Sequence, residues 1–198
     1  SELKVLTRLP VVLALLTTVM SAGAMFTLYT YIAPTLQNIT HASPSFITFM
    51  LVLIGVGFSI GNHLGGTLAD KSLTKTLTGF LLLLMLSMLL FPILATTHIG
   101  AALALVVWGT AAFAVVPPLQ MRVMSVAHEA PGLASSVNIG AFNLGNAVGA
   151  AAGGAVLSLG MSYVMVSITG ALLTALGLLL VWLQMRLPEA KLQYSSKS

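Results

Sequence analysis

The sequence predicts an all-α membrane protein, and three observations carry that prediction. Hydrophobic residues make up 58% of the 198 residues and charged residues only 6%, whereas about a quarter of a soluble domain is charged. The mean hydropathy is +1.03. The apolar residues also fall in long runs without period-two alternation. Lipid cannot satisfy an exposed backbone, so runs of this kind must cross as helices rather than as barrel strands.

A crossing needs about 20 predominantly apolar residues, and the charge-free stretches predict six spans, at 9–35, 45–68, 76–96, 100–120, 134–158 and 162–186. Pro10 opens the first. On its surface Ser21 and Tyr31 share a face with Thr17 and Ala24. Ser43 and Pro44 have the character of a cap and first turn for the second span. This span carries Gly57, Gly61 and Gly65, a stripe of small residues that lets another backbone approach. Beside it, at 100° per residue, Ser59, Asn62 and His63 share a face. The third span, "FLLLLMLSMLLFPILA", is bulky aliphatic and suits lipid. The fourth holds Trp108 and Thr110 and ends in prolines. Pro131 precedes the fifth, which repeats the small-residue stripe at Gly145, Gly149 and Gly153 with Asn143 and Asn146 alongside. The sixth is aliphatic again and places Trp182 near its end, as an interfacial anchor.

The cations orient the spans. Lys4 and Arg8 precede the first, Lys71 and Lys75 follow the second, Arg122 follows the fourth, and Arg186, Lys191 and Lys197 follow the sixth. The opposite connectors contain no Lys, Arg, Asp or Glu. The positive-inside rule therefore predicts that both termini are cytoplasmic. Cations beside apolar spans also account for the pI of about 9.7 without nucleic-acid binding. The chain has no cysteine, its four histidines lack metal-ligand spacing, and it has no nucleophile elbow. No metal, cofactor or catalytic residue is expected. It opens on Ser1 without a cleavable signal peptide, which reads as a piece of a longer polypeptide.

Pairing span one with four, two with five and three with six gives two units of three helices that start from opposite membrane sides. Such inverted repeats, nested in a six-helix half, characterise secondary transporters.

Between spans two and three, the loop "GNHLGGTLADKSLTK" contains Gly66, Leu68, Ala69, Asp70, Lys71 and Lys75. It resembles the G-x-L-a-D-[RK]-x-G-[RK] signature of the major facilitator superfamily, departing from it at Leu73 and Thr74. "PGLASSVNIGAFNLGNAVGAAAGG" and "VVPPLQMRVM" are similar to the same superfamily, in particular to bacterial drug and arabinose efflux-type permeases. The resemblance covers nearly the whole chain and implies the C-terminal six-helix half of a twelve-helix carrier in a bacterial inner membrane. Its partners would be the lipid bilayer, an N-terminal half absent from this chain, and a small-molecule substrate. The resemblance also implies a gating loop at Gly66, Asp70, Lys71 and Lys75, with Asp70 as a latch. The alternative is that Asp70 caps the third helix or balances the lysines.

Other positions keep two readings as well. The glycine stripes are either a sliding surface toward the other half or close packing inside this bundle. His63 is either a titrating group in proton coupling or a neutral imidazole bonded to a neighbouring helix. Ser21, Tyr31, Asn143 and Asn146 either line an aqueous path or bond between helices, and Trp108 either lines the cavity or packs. The function expected is secondary transport, most simply efflux of a drug, sugar or small metabolite. The rival is a channel-forming or structural six-helix module that assembles through its glycine stripes.

Overall fold

The structure, a computed structural model, describes residues 2–188. Lys191 and Lys197 therefore lie outside the described residues. Among the described residues all regular structure is helical, and six long helices dominate: α1 Leu9–Tyr29, α2 Pro44–Lys71, α3 Leu73–Leu94, α4 His98–Val126, α5 Pro131–Ser158 and α6 Tyr163–Arg186. Five of them, α1 to α4 and α6, are long and apolar enough to cross a membrane. The glycines, serines and asparagines of α5 make it less apolar.

Local chemistry sets the ends. The Ser43 Oγ accepts the Phe46 N–H at 3.2 Å and Thr97 Oγ1 accepts the Gly100 N–H at 3.0 Å, so α2 and α4 start on side-chain caps that satisfy otherwise orphan donors. Gly160, at φ 80°, turns the chain out of α5 in a conformation that costs glycine little. Two expectations shift. The first span is interrupted after Tyr29, where Pro34 cannot donate to the Thr30 carbonyl, and continues as the short turns Ile32–Thr35 and Leu36–Thr40. The fourth continues to Val126 but breaks at Val115, between His98–Ala114 and Val116–Val126. Pro117 and Pro118 remove two backbone donors there.

Side-chain contacts place alternate connectors at opposite ends. At the cationic end, Arg8 donates to the Glu129 carboxylate, Val11 and Ala14 pack on Val123, Ala127 and Ala134, and the Gln184 Nε2 reaches the Leu13 carbonyl at 3.3 Å. At the other end, Thr40 Oγ1 donates to the Ala95 carbonyl at 2.6 Å and the rings of Phe46 and His98 meet edge to face.

α1 is the most enclosed helix. It packs on α5 and α6, while α4 packs on α2 and α3, and α3 meets α6. Exchanging α1 with α4, α2 with α5 and α3 with α6 leaves this set of neighbours unchanged. Between them lies a core of Met25, Leu28, Ile54, Met88, Phe91, Leu105 and Trp108. The bulky residues of α3 and α6, such as Leu86, Leu90, Leu172 and Leu176, point outward.

Candidate functional site

The glycine stripes lie inside the bundle. A Cβ on Gly57 would sit 2.9 Å from the Val106 carbonyl oxygen, and on Gly61 or Gly65 it would fall within the α4 backbone at Thr110 and Ala114. On α5, a Cβ at Gly145 would be 2.6 Å from the Val19 oxygen, Gly149 lies against the Gly23 carbonyl, and Gly153 lies under the Tyr31 ring. This corrects the sliding-surface reading. All six glycines are buried against α4 or α1 of the same chain, which leaves nothing of the stripes for a partner to touch.

Three of the pathway candidates make contacts within the bundle. Ser21 is enclosed, with its hydroxyl on the Thr17 carbonyl at 2.8 Å and 3.6 Å from where a Gly177 Cβ would stand on α6. Such bonds to the i−4 carbonyl satisfy a hydroxyl within its own helix. Tyr31 donates to the Ala150 carbonyl at 2.7 Å and ties α1 to α5. Trp108 is fully buried in the core, and its Nε1–H has no hydrogen-bond partner among the described residues.

The remaining predicted residues face outward. On α2, Ser59, Asn62 and His63 are exposed, and His63 has no hydrogen-bond partner among the described residues. On α5, Asn143 is exposed while Asn146 is half-buried, and its Oδ1 has no hydrogen-bond partner among the described residues. Asp70, Lys71 and Lys75 are exposed. Asp70 occupies the last turn of α2, so it does not cap α3; the cap position is Ser72. Asp70 belongs to no ion pair among the described residues. A carboxylate at the negative end of a helix dipole is disfavoured by roughly 0.3–1 kcal/mol, which favours a partner elsewhere. Gly66 looks toward Pro117, at 4.0 Å from a built Cβ.

Three polar clusters escaped the sequence reading. Asn138 is buried, accepts from Thr18 Oγ1 at 2.7 Å and donates to Gln120 Oε1 at 2.7 Å; Gln120 in turn donates to the Ser135 hydroxyl. Gln184 is also buried and donates to Thr17 Oγ1 at 2.8 Å. Their signal was a polar side chain in a charge-free run, the same one that singled out Asn143 and Asn146. The third cluster is ionic. The hydrogen bond from the Arg8 guanidinium, with the Glu129 backbone and the charges of Arg8 and His128, holds the Glu129 carboxyl below its ordinary range.

A row of rings packs against the edge of the core. Phe142 of α5, Phe26 and Tyr29 of α1, Phe58 of α2 and Phe113 of α4 are all half-buried and meet ring to ring. Trp108 lies behind them, stacked on Tyr29 at 6.3 Å. Among the described residues no group of His, Cys, Asp and Glu is placed to hold a metal.

A bundle with this helix order and this connector signature has an evident comparison. Residues 15–198 match the family model described as Major Facilitator Superfamily. The chain belongs to that superfamily. The "Inner membrane transport protein YdhP" of Escherichia coli K12 is 69% identical over 185 residues, covering 93% of this chain and 48% of the relative. The "Uncharacterized MFS-type transporter YfhI" of Bacillus subtilis 168 is 35% identical over 163 residues, covering 82% of this chain and 41% of the relative. A "Probable sugar efflux transporter" of Helicobacter pylori 26695 is 31% identical over 187 residues, covering 93% and 46%. The chain spans about half the length of the curated relatives it matches. Superfamily members are transporters rather than enzymes, and this chain is a multi-pass inner-membrane protein.

Proposed function

We propose that the chain is the C-terminal six-span half of a secondary transporter that moves a small molecule by alternating access, rocking against an N-terminal half. The observation that carries this reading is the exchange symmetry of the packing, in which α1 and α4, α2 and α5, and α3 and α6 have equivalent neighbours. Inverted three-helix repeats have that property. On this reading α5 is the sixth span despite its lower apolarity, because its glycine face is sheltered by α1. The cations of Lys4, Arg8, Lys71, Lys75, Arg122 and Arg186 support cytoplasmic termini.

The outward face of α2 and α5, with Asn62, His63 and Asn143, together with the aromatic row, would meet the second half and enclose the substrate. Gly66, Asp70, Lys71 and Lys75 would form the gating loop, and the carboxylate of Asp70, in no ion pair among the described residues, supports a latch closed by a group outside this bundle. The name borne by the Helicobacter relative keeps sugars among the cargo classes, beside drugs and small metabolites. Proton coupling would use His63, since no Asp or Glu lies well inside a span of this half and Asp70 sits in the last turn of α2. The oligomeric-module reading loses its support, because its glycine stripes are occupied within the chain.

The test is solute flux by the full-length protein in vesicles, with and without a pH gradient, across drugs, sugars and metabolites. Gradient-dependent movement of one class is expected. If His63 takes part in coupling, His63→Gln will shift the pH profile of that movement; an unchanged profile removes it from the scheme.

A further inference from the structure

α3 and α6 pack against each other, and both turn exposed aliphatic side chains outward. Ser167 donates to the Met88 carbonyl and Gly170 faces the Met88 side chain, while Val181 gathers with Leu77 and Leu81. These contacts set the register of the antiparallel pair. From Met88, about 13 residues toward the cationic end, roughly 20 Å at 1.5 Å per residue, bring α3 to Lys75 and α6 to the level of Trp182. Both positions face out. Lys75 is exposed and shares a stripe with Gly79, Leu82, Leu86 and Ile93, all exposed as well. A Cβ on Gly79 would meet nothing within 4 Å, so the surface is open one turn from the lysine. On α6, Trp182 follows Val181 and so borders the seam with α3. Its exposed ring lies under the Arg186 guanidinium, whose carbon is 4.7 Å from the ring centroid. Leu172 and Leu179, both exposed, continue the Arg186 stripe.

A cation at the end of an apolar stripe keeps its stem on hydrocarbon and lifts its charge into the headgroup layer. One such residue only anchors a helix. Two at the same depth, on helices packed about 8–10 Å apart, can reach a single phosphate from both sides. Neither Lys75 nor Arg186 belongs to an ion pair among the described residues. Asp70 and Lys71, which precede α3, carry opposite charges, so the local balance stays positive; Glu189 lies outside the described residues. A tryptophan ring is at home at the boundary between headgroup and chain. We propose that Lys75 and Arg186, with the Trp182 ring, hold the phosphate of an anionic phospholipid in the leaflet at the cationic end. Its acyl chains lie along Leu82 and Leu86 of α3 and Leu179 of α6, and the open surface at Gly79 receives its glycerol. A zwitterionic lipid brings its own cation beside the phosphate and gains less, so the site selects for net negative charge. Such a site is independent of what the protein transports.

The test uses the full-length protein in phosphatidylcholine bilayers that contain a small fraction of phosphatidylglycerol brominated on the chain carbons nearest the headgroup, since bromine quenches a tryptophan it touches. Trp182 emission is the difference between wild type and Trp182→Phe. Quenching by brominated phosphatidylglycerol well above that by the same fraction of brominated phosphatidylcholine is expected. Lys75→Gln and Arg186→Gln should each weaken that preference about fivefold, the contribution of one cation at an anionic surface, and Lys75→Arg should keep it. Melting temperatures of the variants report folding, and Lys75→Arg guards against a Gln variant that fails to fold. Equal quenching by the two lipids overturns the proposal, and is the result expected if residues 189–198 or the other half cover the seam. A preference that survives both Gln substitutions overturns it too. So does an equal loss in Lys4→Gln, a cation of the N-terminal segment at the same end, because that reports diffuse attraction rather than a site.

Discussion

Asn138 ties three helices together through hydrogen bonds to Thr18 and Gln120. Asn138→Leu strands both partners, and a loss of about 1–3 kcal/mol is expected, read by thermal unfolding in detergent; an unchanged melting temperature would contradict that role. The Arg8–Glu129 pair makes a prediction about pH. Because the folded carboxyl titrates below its ordinary value, its contribution is complete above the unfolded range and is lost as pH falls through the folded value. Wild type should therefore lose melting temperature in that acid window, while Glu129→Gln is less stable above it and flat within it. Both residues are exposed and salt screens them, so the effect should shrink in concentrated salt. These sites were hard to read in the sequence for a physical reason. Periodicity tells which residues share a face of one helix but not which helix lies opposite. Gln120 meets Asn138 only because α4 continues as a helix beyond its break at Val115.

At the scale of elements, the residues that hydropathy and caps mark are helical almost throughout, and five helices are long and apolar enough to cross a membrane. The breaks at Thr30 and Val115 are the exceptions, and both lie close before prolines that withhold donors. The glycine stripes were legible as close approaches but not as to whose backbone approaches, since either neighbour demands the same small residue. Packing answers that question, and it sets a sharp contrast. Gly61→Leu or Gly149→Leu drives a side chain into the facing backbone and should cost at least about 3 kcal/mol, read as loss of monodisperse folded protein. Gly55→Ala, where a Cβ meets nothing within 4 Å, should fold as wild type. Equal tolerance of Leu at Gly61 and Ala at Gly55 would contradict the packing of α2 on α4.

For the whole molecule, superfamily membership was legible in one connector and two helix segments, whereas the aromatic row was not. Its rings come from Phe26, Tyr29, Phe58, Phe113 and Phe142, far apart in the chain, and only the antiparallel order of α1, α2, α4 and α5 brings them together. Asp70 bears on the molecule as a whole, because it finds no ion-pair partner among the described residues. Asp70→Asn should slow transport severalfold while leaving the melting temperature unchanged; wild-type turnover would remove the latch. The central claim is that this chain is half of a carrier that exposes its site to one side at a time, and solute counterflow tests it most directly. Vesicles holding the full-length protein are preloaded with unlabelled solute and diluted into a trace of the labelled compound. Alternating access predicts a transient accumulation of label above equilibrium inside, reduced in Asp70→Asn. Simple equilibration without overshoot, at a rate that ignores the preload, is the behaviour of a channel and would contradict the account.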